Sequence, residues 1–216
     1  MLFSVVIPTY NRLPILRQCL AALAVQDLST VPDVEDYEVV VVDDGSTDET
    51  VAALQQTPYP RLRLLQQDHG GAAMARNRGV TAARGNVIVF IDSDLVVVKG
   101  FLAAHARALQ RHWHRHGNRL CFTYGAVINT SNFARPTAEP HKLTDLSWAY
   151  FATGNVAIDR QLLLRSGLFD TRFCQYGWED LELGERLRQL EVVLVRCPEA
   201  IGYHWPPPFN SSRSRS

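Results

Sequence analysis

The chain has 216 residues, 46% hydrophobic and 20% charged, enough for one well-buried α/β domain and short for two. Its 22 basic and 22 acidic side chains cancel, so no basic face argues for a nucleic-acid partner. Four scattered cysteines, Cys19, Cys121, Cys174 and Cys197, form no C-x-x-C pair, which argues against a disulfide framework or zinc knuckle and for a reducing compartment.

The opening MLFSVVIPTYNR has no basic leader and no small-residue cleavage site, so it does not read as a signal peptide. No stretch approaches the ~20 apolar residues that span a bilayer. The expectation is a cytoplasmic protein, with peripheral docking at the inner face of the membrane left open. Phe3 to Pro8 is an apolar run ended by proline, as in a strand buried on both faces. Leu13, Leu16, Leu20 and Leu23 fall on one helix face. Tyr37 to Val42 is a second strand, and Ser46-Thr47-Asp48-Glu49 reads as a capping box opening a helix to about Leu54. Leu62 to Leu65 is a third strand. Ala72 to Arg84 is a helix, with Gly85 as its C-terminal stop. Asn86 to Ile91 is a fourth strand, and Lys99 to about His116 a further helix.

The second half is less regular. Phe122 to Ile128 predicts a strand, Thr130 to Asp145 a loop, Asp159 to Ser166 and Glu179 to Leu190 helices, and Val192 to Arg196 a last strand. The expected architecture is α/β: a mostly parallel sheet flanked by helices, with a smaller mixed C-terminal half. Residues 1–205 read as a single domain. The tail PPPFNSSRSRS, residues 206–216, has the composition of a flexible segment.

Ligands of open α/β sheets bind beyond the carboxyl ends of the strands. Thr9-Tyr10-Asn11, Asp43-Asp44 and Asp92-Ser93-Asp94 all follow predicted strands, so the fold brings them onto one rim. Asp92 and Asp94 repel each other once desolvated, and a cation is their natural partner. Mg2+ or Mn2+ suits few carboxylates plus phosphate oxygens; the same residues also serve as an ordinary turn. The loop Asp68-His69-Gly70-Gly71 lets backbone approach a ligand, and Arg76 follows in the next helix. Gly177-Trp178-Glu179-Asp180 opens a helix whose acids either favour its N-terminus or supply a general base. Trp178 and Tyr176 form a sugar platform or pack in the core. His112, His114 and His116 read as a solvated helix end.

Taken in order, V-V-I-P-T-Y-N-R (Val5 to Arg12), V-V-D-D-G-S-T-D (Val41 to Asp48), A-R-N-R-G (Ala75 to Gly79) and F-I-D-S-D (Phe90 to Asp94) resemble the inverting GT-A glycosyltransferases of family 2. T-G-N-V-A-I-D-R (Thr153 to Arg160), G-L-F-D-T-R-F (Gly167 to Phe173) and G-W-E-D-L-E-L-G-E-R-L (Gly177 to Leu187) extend the match and resemble the C-terminal part of galactosyl- and N-acetylgalactosaminyltransferases. The resemblance implies a GT-A, Rossmann-like fold and transfer of a sugar from a UDP-sugar donor to a glycan, polysaccharide or lipid-linked acceptor, assisted by Mn2+ or Mg2+. It implies Thr9 and Asp44 at the uracil base with Pro8 shaping the pocket, and Tyr10, Asn11, Asp43 and Ser93 on the donor side. Arg76 falls at the diphosphate, Asp92 at ribose or metal, and Gly154 and Asn155 at the donor sugar. Asp94 and His204 become metal ligands, Asp180 the base, and Trp178 and Glu179 the acceptor side.

Three rivals are weaker. A sugar-nucleotide pyrophosphorylase needs a glycine-rich basic loop where this chain has Pro8-Thr9-Tyr10-Asn11. A non-catalytic nucleotide-sugar or glycan-binding module predicts loss of one of Asp92, Asp94, Asp180 and His204, and all are present. An NAD-dependent enzyme needs a G-x-G-x-x-G after the first strand, which is lacking.

Overall fold

The computed structural model describes residues 1–57, 59–132, 135–136, 150–173 and 177–205. Among them the chain runs β1 (Leu2–Thr9), α1 (Leu13–Ala24), β2 (Asp36–Asp43), α2 (Thr50–Gln56), β3 (Leu62–Gln66), α3 (Ala72–Ala82), β4 (Val87–Ile91), β5 (Leu95–Val97) and α4 (Phe101–His116). It continues through β6 (Cys121–Asn129), β7 (Asn155–Asp159), α5 (Arg160–Arg165), α6 (Trp178–Gln189) and β8 (Val193–His204). The strands form one sheet in the order β3-β2-β1-β4-β7-β6-β8-β5. The first four pair in parallel. β7 lies antiparallel between β4 and β6, β8 runs parallel to β6, and β5 closes antiparallel onto β8.

The apolar runs create this layout because they are buried on both faces. Side chains alternate across a strand, so Val5 and Ile7 of β1 join a core with Leu16, Leu20 and Leu23 of α1 and Leu102 of α4. Val6 turns to the other face, with Val80 of α3, Phe90 of β4, and Leu183 and Leu187 of α6. Among the described residues no helix is long and apolar enough to cross a membrane.

Four local expectations are corrected. The capping box is not formed: α2 starts at Thr50, whose N–H donates to Asp48 Oδ1 at 3.0 Å, while Ser46 Oγ accepts from Asn11 N at 2.9 Å. Gly85 is not a helix stop. A Cβ there would lie 2.6 Å from Leu2 O and 2.7 Å from Ser4 N, so it allows close passage beside β1. Two short strands, β5 and β7, went unrecognised. β8 runs on to His204, beyond the expected Arg196. Pro198 falls where the β6–β8 register shifts between Gly125 and Ala126; such irregularities tolerate a residue with no N–H. Of the Thr130 to Asp145 stretch, 133–134 and 137–145 lie outside the described residues, as do Cys174, Tyr176 and the 206–216 tail.

Candidate active site

The strand order reverses between β1 and β4, where open α/β sheets place ligands. A cavity of about 560 Å³ opens there, lined by Pro8 and Thr9 at the end of β1, Tyr10 and Arg12 just after it, Asp44 after β2, and Asp92, Ser93 and Asp94 after β4. Thr9 is buried and its Oγ1 has no hydrogen-bond partner. The Tyr10 ring stacks on His69, with centroids 4.3 Å apart. The glycine loop folds around Asp44: Gly70 N donates to Oδ1 at 2.9 Å and Gly71 N to Oδ2 at 2.8 Å. Gln67 Nε2 donates to Oδ1 at 2.7 Å, and His69 Nδ1 lies 2.9 Å from Oδ2. Gly71, at φ 89°, takes a left-handed conformation that favours glycine.

Two predicted donor residues do not reach the cavity. Asn11, at φ 51°, turns its Oδ1 to accept from Thr47 N at 2.8 Å and Asp48 N at 3.2 Å. Asp43 Oδ2 accepts from Ser46 N at 3.0 Å. Asn11 ties the loops after β1 and β2 together, Asp43 braces the turn that follows β2, and neither is among the residues lining the cavity.

The β5–β8 pairing sets Leu95 opposite His204, which brings His204 Nε2 to 3.6 Å from Asp94 Oδ1. That oxygen is buried with no hydrogen-bond partner. His204 Nδ1 lies 3.0 Å from Asn129 Oδ1, an acceptor, so Nδ1 carries a proton; the charged ring donates from Nε2 toward the carboxylate, and the neutral ring, the form that binds a metal, would present its Nε2 lone pair there. Two acceptors facing each other suit a cation between them. A carboxylate with an imidazole oriented by an amide is a chemically sound pair of ligands for a divalent ion. Among the described residues no group of three or more His, Cys, Asp or Glu is placed to hold a metal, so further ligands would be phosphate oxygens or water. Arg12 Nη1 donates to Asp94 Oδ2 at 2.5 Å. Burial pushes the Asp94 carboxyl up, but His204 and Arg12 more than offset this and hold it below its ordinary pKa.

A second cavity, of about 410 Å³, lies beside the first and shares Arg76, Asp92 and His204 with it. Arg76 is the common wall. Its buried guanidinium donates from Nη2 to Asp92 Oδ1 and from Nη1 to Glu179 Oε1, each at 3.0 Å, and Nη1 lies 3.9 Å from Asp180 Oδ1. Asp180 also takes donors from the segment entering β7. Thr153 N donates to Oδ2 at 2.9 Å, and Thr153 Oγ1 lies 3.0 Å from Oδ2 and 3.2 Å from Oδ1. Burial raises the Asp180 pKa to about 6; Arg76 and Thr153 pull the other way without cancelling it. Trp178, 54% exposed, stands at the cavity mouth with Leu181. Gly154 lines the same cavity, and a Cβ there would sit 3.8 Å from Asp92 Oδ2.

Asn155 does not border either cavity. It is fully buried; its Oδ1 faces His105 Nε2 at 2.9 Å, and its Nδ2 donates to Ala126 O at 3.0 Å and Ala200 O at 2.9 Å. It therefore pins β7 to the irregular step between β6 and β8. His112 and His116 stack at the end of α4 with centroids 4.4 Å apart, away from both cavities.

Sequence reasoning gave no role to Arg12, His69, Asn129 or Thr153. Arg12 and Thr153 stood inside recognised blocks, but their partners lie 82 and 27 residues away, and no local pattern reports such pairings.

Residues 4–164 match the family model described as "Glycosyl transferase family 2". Validoxylamine A glucosyltransferase of Streptomyces hygroscopicus subsp. jinggangensis is 33% identical over 240 residues, which cover 95% of this chain and 56% of that protein. The fold superposes on S. aureus TarS 1–349 in complex with UDP-GlcNAc with a TM-score of 0.71 at 21% identity, covering 100% of this chain and 62% of that one. It superposes on GalNAc-T7 with UDP, GalNAc and Mn2+ with a TM-score of 0.72 at 17% identity, covering 94% and 44%. The chain spans 52–65% of the length of the first curated relatives that it matches. These structural likenesses identify the sheet as a GT-A fold. The family match takes in β1 to α5 and with them Thr9, Asp44, Arg76, Asp92 and Asp94, so the chain belongs to glycosyl transferase family 2.

Proposed function

We propose that the chain is an inverting hexosyltransferase that moves a sugar from a UDP-sugar donor to a hydroxyl of a glycan, polysaccharide or lipid-linked acceptor. The observation that carries this reading is Asp180: a buried carboxyl with a pKa near 6 on a cavity that shares a wall with the strand-end cavity. A base with a pKa just below neutral is both ionised at pH 7 and able to take a proton. The donor lies in the strand-end cavity, with the nucleoside against Thr9, Tyr10 and Asp44. The acceptor enters past Trp178. Its hydroxyl oxygen forms a bond to the anomeric carbon as the bond to the UDP oxygen breaks, and Asp180 takes the hydroxyl proton. One displacement inverts the anomeric centre.

Asp94 and His204 would hold the divalent ion, which supplies positive charge to the departing diphosphate. The imidazole ligand favours Mn2+ over Mg2+, which prefers all-oxygen surroundings. The UDP and Mn2+ in the matched structures support the donor and metal classes. A binding module with no chemistry would have no need of a buried carboxyl tuned in this way.

UDP release from a panel of UDP-sugars, with Mn2+ or Mg2+ and with EDTA, tests the proposal. Turnover that needs metal and drops about 10²–10⁴-fold in Asp180→Asn is the expected result. An active Asp180→Asn would remove that residue as the base, and absence of donor binding would sink the reading.

A further inference from the structure

Asp180 presents two chemically unequal oxygens. Oδ2 takes Thr153 N at 2.9 Å and Thr153 Oγ1 at 3.0 Å. Among the described residues Oδ1 has only the longer Oγ1 contact at 3.2 Å and the Arg76 guanidinium at 3.9 Å, and Arg76 is itself committed at 3.0 Å to Glu179 and Asp92. A hydroxyl has one proton, and the shorter line runs to Oδ2. We propose that Thr153 is the positioning residue of the base: its N–H and Oγ–H together lock Oδ2, fix the plane of the carboxylate and leave Oδ1 as the oxygen that takes the acceptor proton. This rests on the transferase reading above and deepens it.

The surroundings leave Thr153 this role. Thr153 is 1% exposed, so water does not compete for its hydroxyl. The charged and titratable groups facing Asp180 are Arg76 from α3 and Glu179 from its own helix, with Asp92 reached through Arg76, and His204 and Tyr124 on other walls of the cavity. Among the described residues the bonds to Oδ2 come from Thr153. The backbone N–H alone leaves the carboxylate free to rotate about that single contact. The second donor removes this freedom, and it comes from the residue next to Gly154, which lines the same cavity.

The test compares wild type, Thr153→Val and Thr153→Ser, using the fastest of UDP-glucose, UDP-galactose, UDP-GlcNAc and UDP-GalNAc with Mn2+ and following UDP release from pH 5 to 9. Valine keeps the shape and loses the donor, so the ionised carboxylate loses a hydrogen bond that favours it. The acid limb of kcat moves upward by about one pH unit and the plateau kcat falls about tenfold, with KM for the donor unchanged. Serine restores both. Thr153→Ala serves as a second donor-less variant should valine not pack. An unshifted limb in an active, folded Thr153→Val or Thr153→Ala overturns the inference, as does a Thr153→Ser impaired as much as Thr153→Val. A wild type that turns over none of the donors overturns the transferase reading itself, and this inference with it.

Discussion

Asp180 has a second consequence, visible without any substrate. Its pKa is about 6 in the fold against ~3.9 in an unfolded chain. A raised carboxyl pKa contributes stability that is complete below the unfolded value and lost as pH rises through the folded one. Asp180→Asn should therefore gain on wild type between pH 4 and 7, by about 2–3 kcal/mol, read as a Tm difference that grows with pH. Arg76 behaves oppositely: replacing it with methionine leaves Asp92, Glu179 and Asp180 facing each other without a cation. A loss of about 3–5 kcal/mol in urea denaturation at pH 7 is expected, and less at pH 5 as carboxyls take up protons. In the proposed metal site Asn129 would act through His204: Asn129→Leu removes the acceptor that sets the tautomer and should weaken Mn2+ binding about tenfold, read by Mn2+ titration in the presence of UDP.

Among the elements, the parallel strands and their helices were legible because each is a local pattern: an apolar run, a turn signal, a helical spacing. The rim was legible for the same reason, since Thr9, Asp44 and Asp92 each follow such a run. Strands β5 and β7 were not. Three or five residues carry too little period, and both exist because of partners more than 60 residues distant in sequence, β7 on β4 and β5 on β8. Asn155 shows the limit from the other side. It stands in a recognisable block, yet its amide is spent on His105 and on two backbone carbonyls, and only the three-dimensional arrangement separates holding a strand from touching a ligand. The packing of α3 on β1 supplies a test at this scale. A Cβ at Gly79 would lie 2.4 Å from Val6 Cγ1 and 3.2 Å from Val42 Cγ2. Gly79→Ala should destabilise by about 1–3 kcal/mol through overpacking, seen as a lower urea midpoint with an unchanged slope.

Across the whole molecule, two buried titrating groups oppose each other. Burial lowers the His105 pKa to about 4, so its contribution is present above the unfolded value of ~6.5 and is lost as pH falls toward 4. Asp180 gains over much of the same interval. Wild type should thus show a shallow stability profile from pH 6.5 to 4, and Asp180→Asn should expose the His105 loss as a steeper decline on acidification. The measurement is a series of melting curves across that window; parallel profiles for the two proteins would contradict the balance.

The closure of β5 onto β8 also bears on how the protein is made. Asp94 meets His204, and Arg76 meets Glu179, across more than 100 residues of chain. Contacts of such long range form late, after the local units have condensed. A ribosome delivers β1 to β4, with Thr9, Asp44 and Asp92, before it delivers Asp180 and His204. On the proposed reading, a nascent chain at that stage would hold half a nucleotide pocket with no means of reaction, and Mn2+ retention would mark the docking of β8.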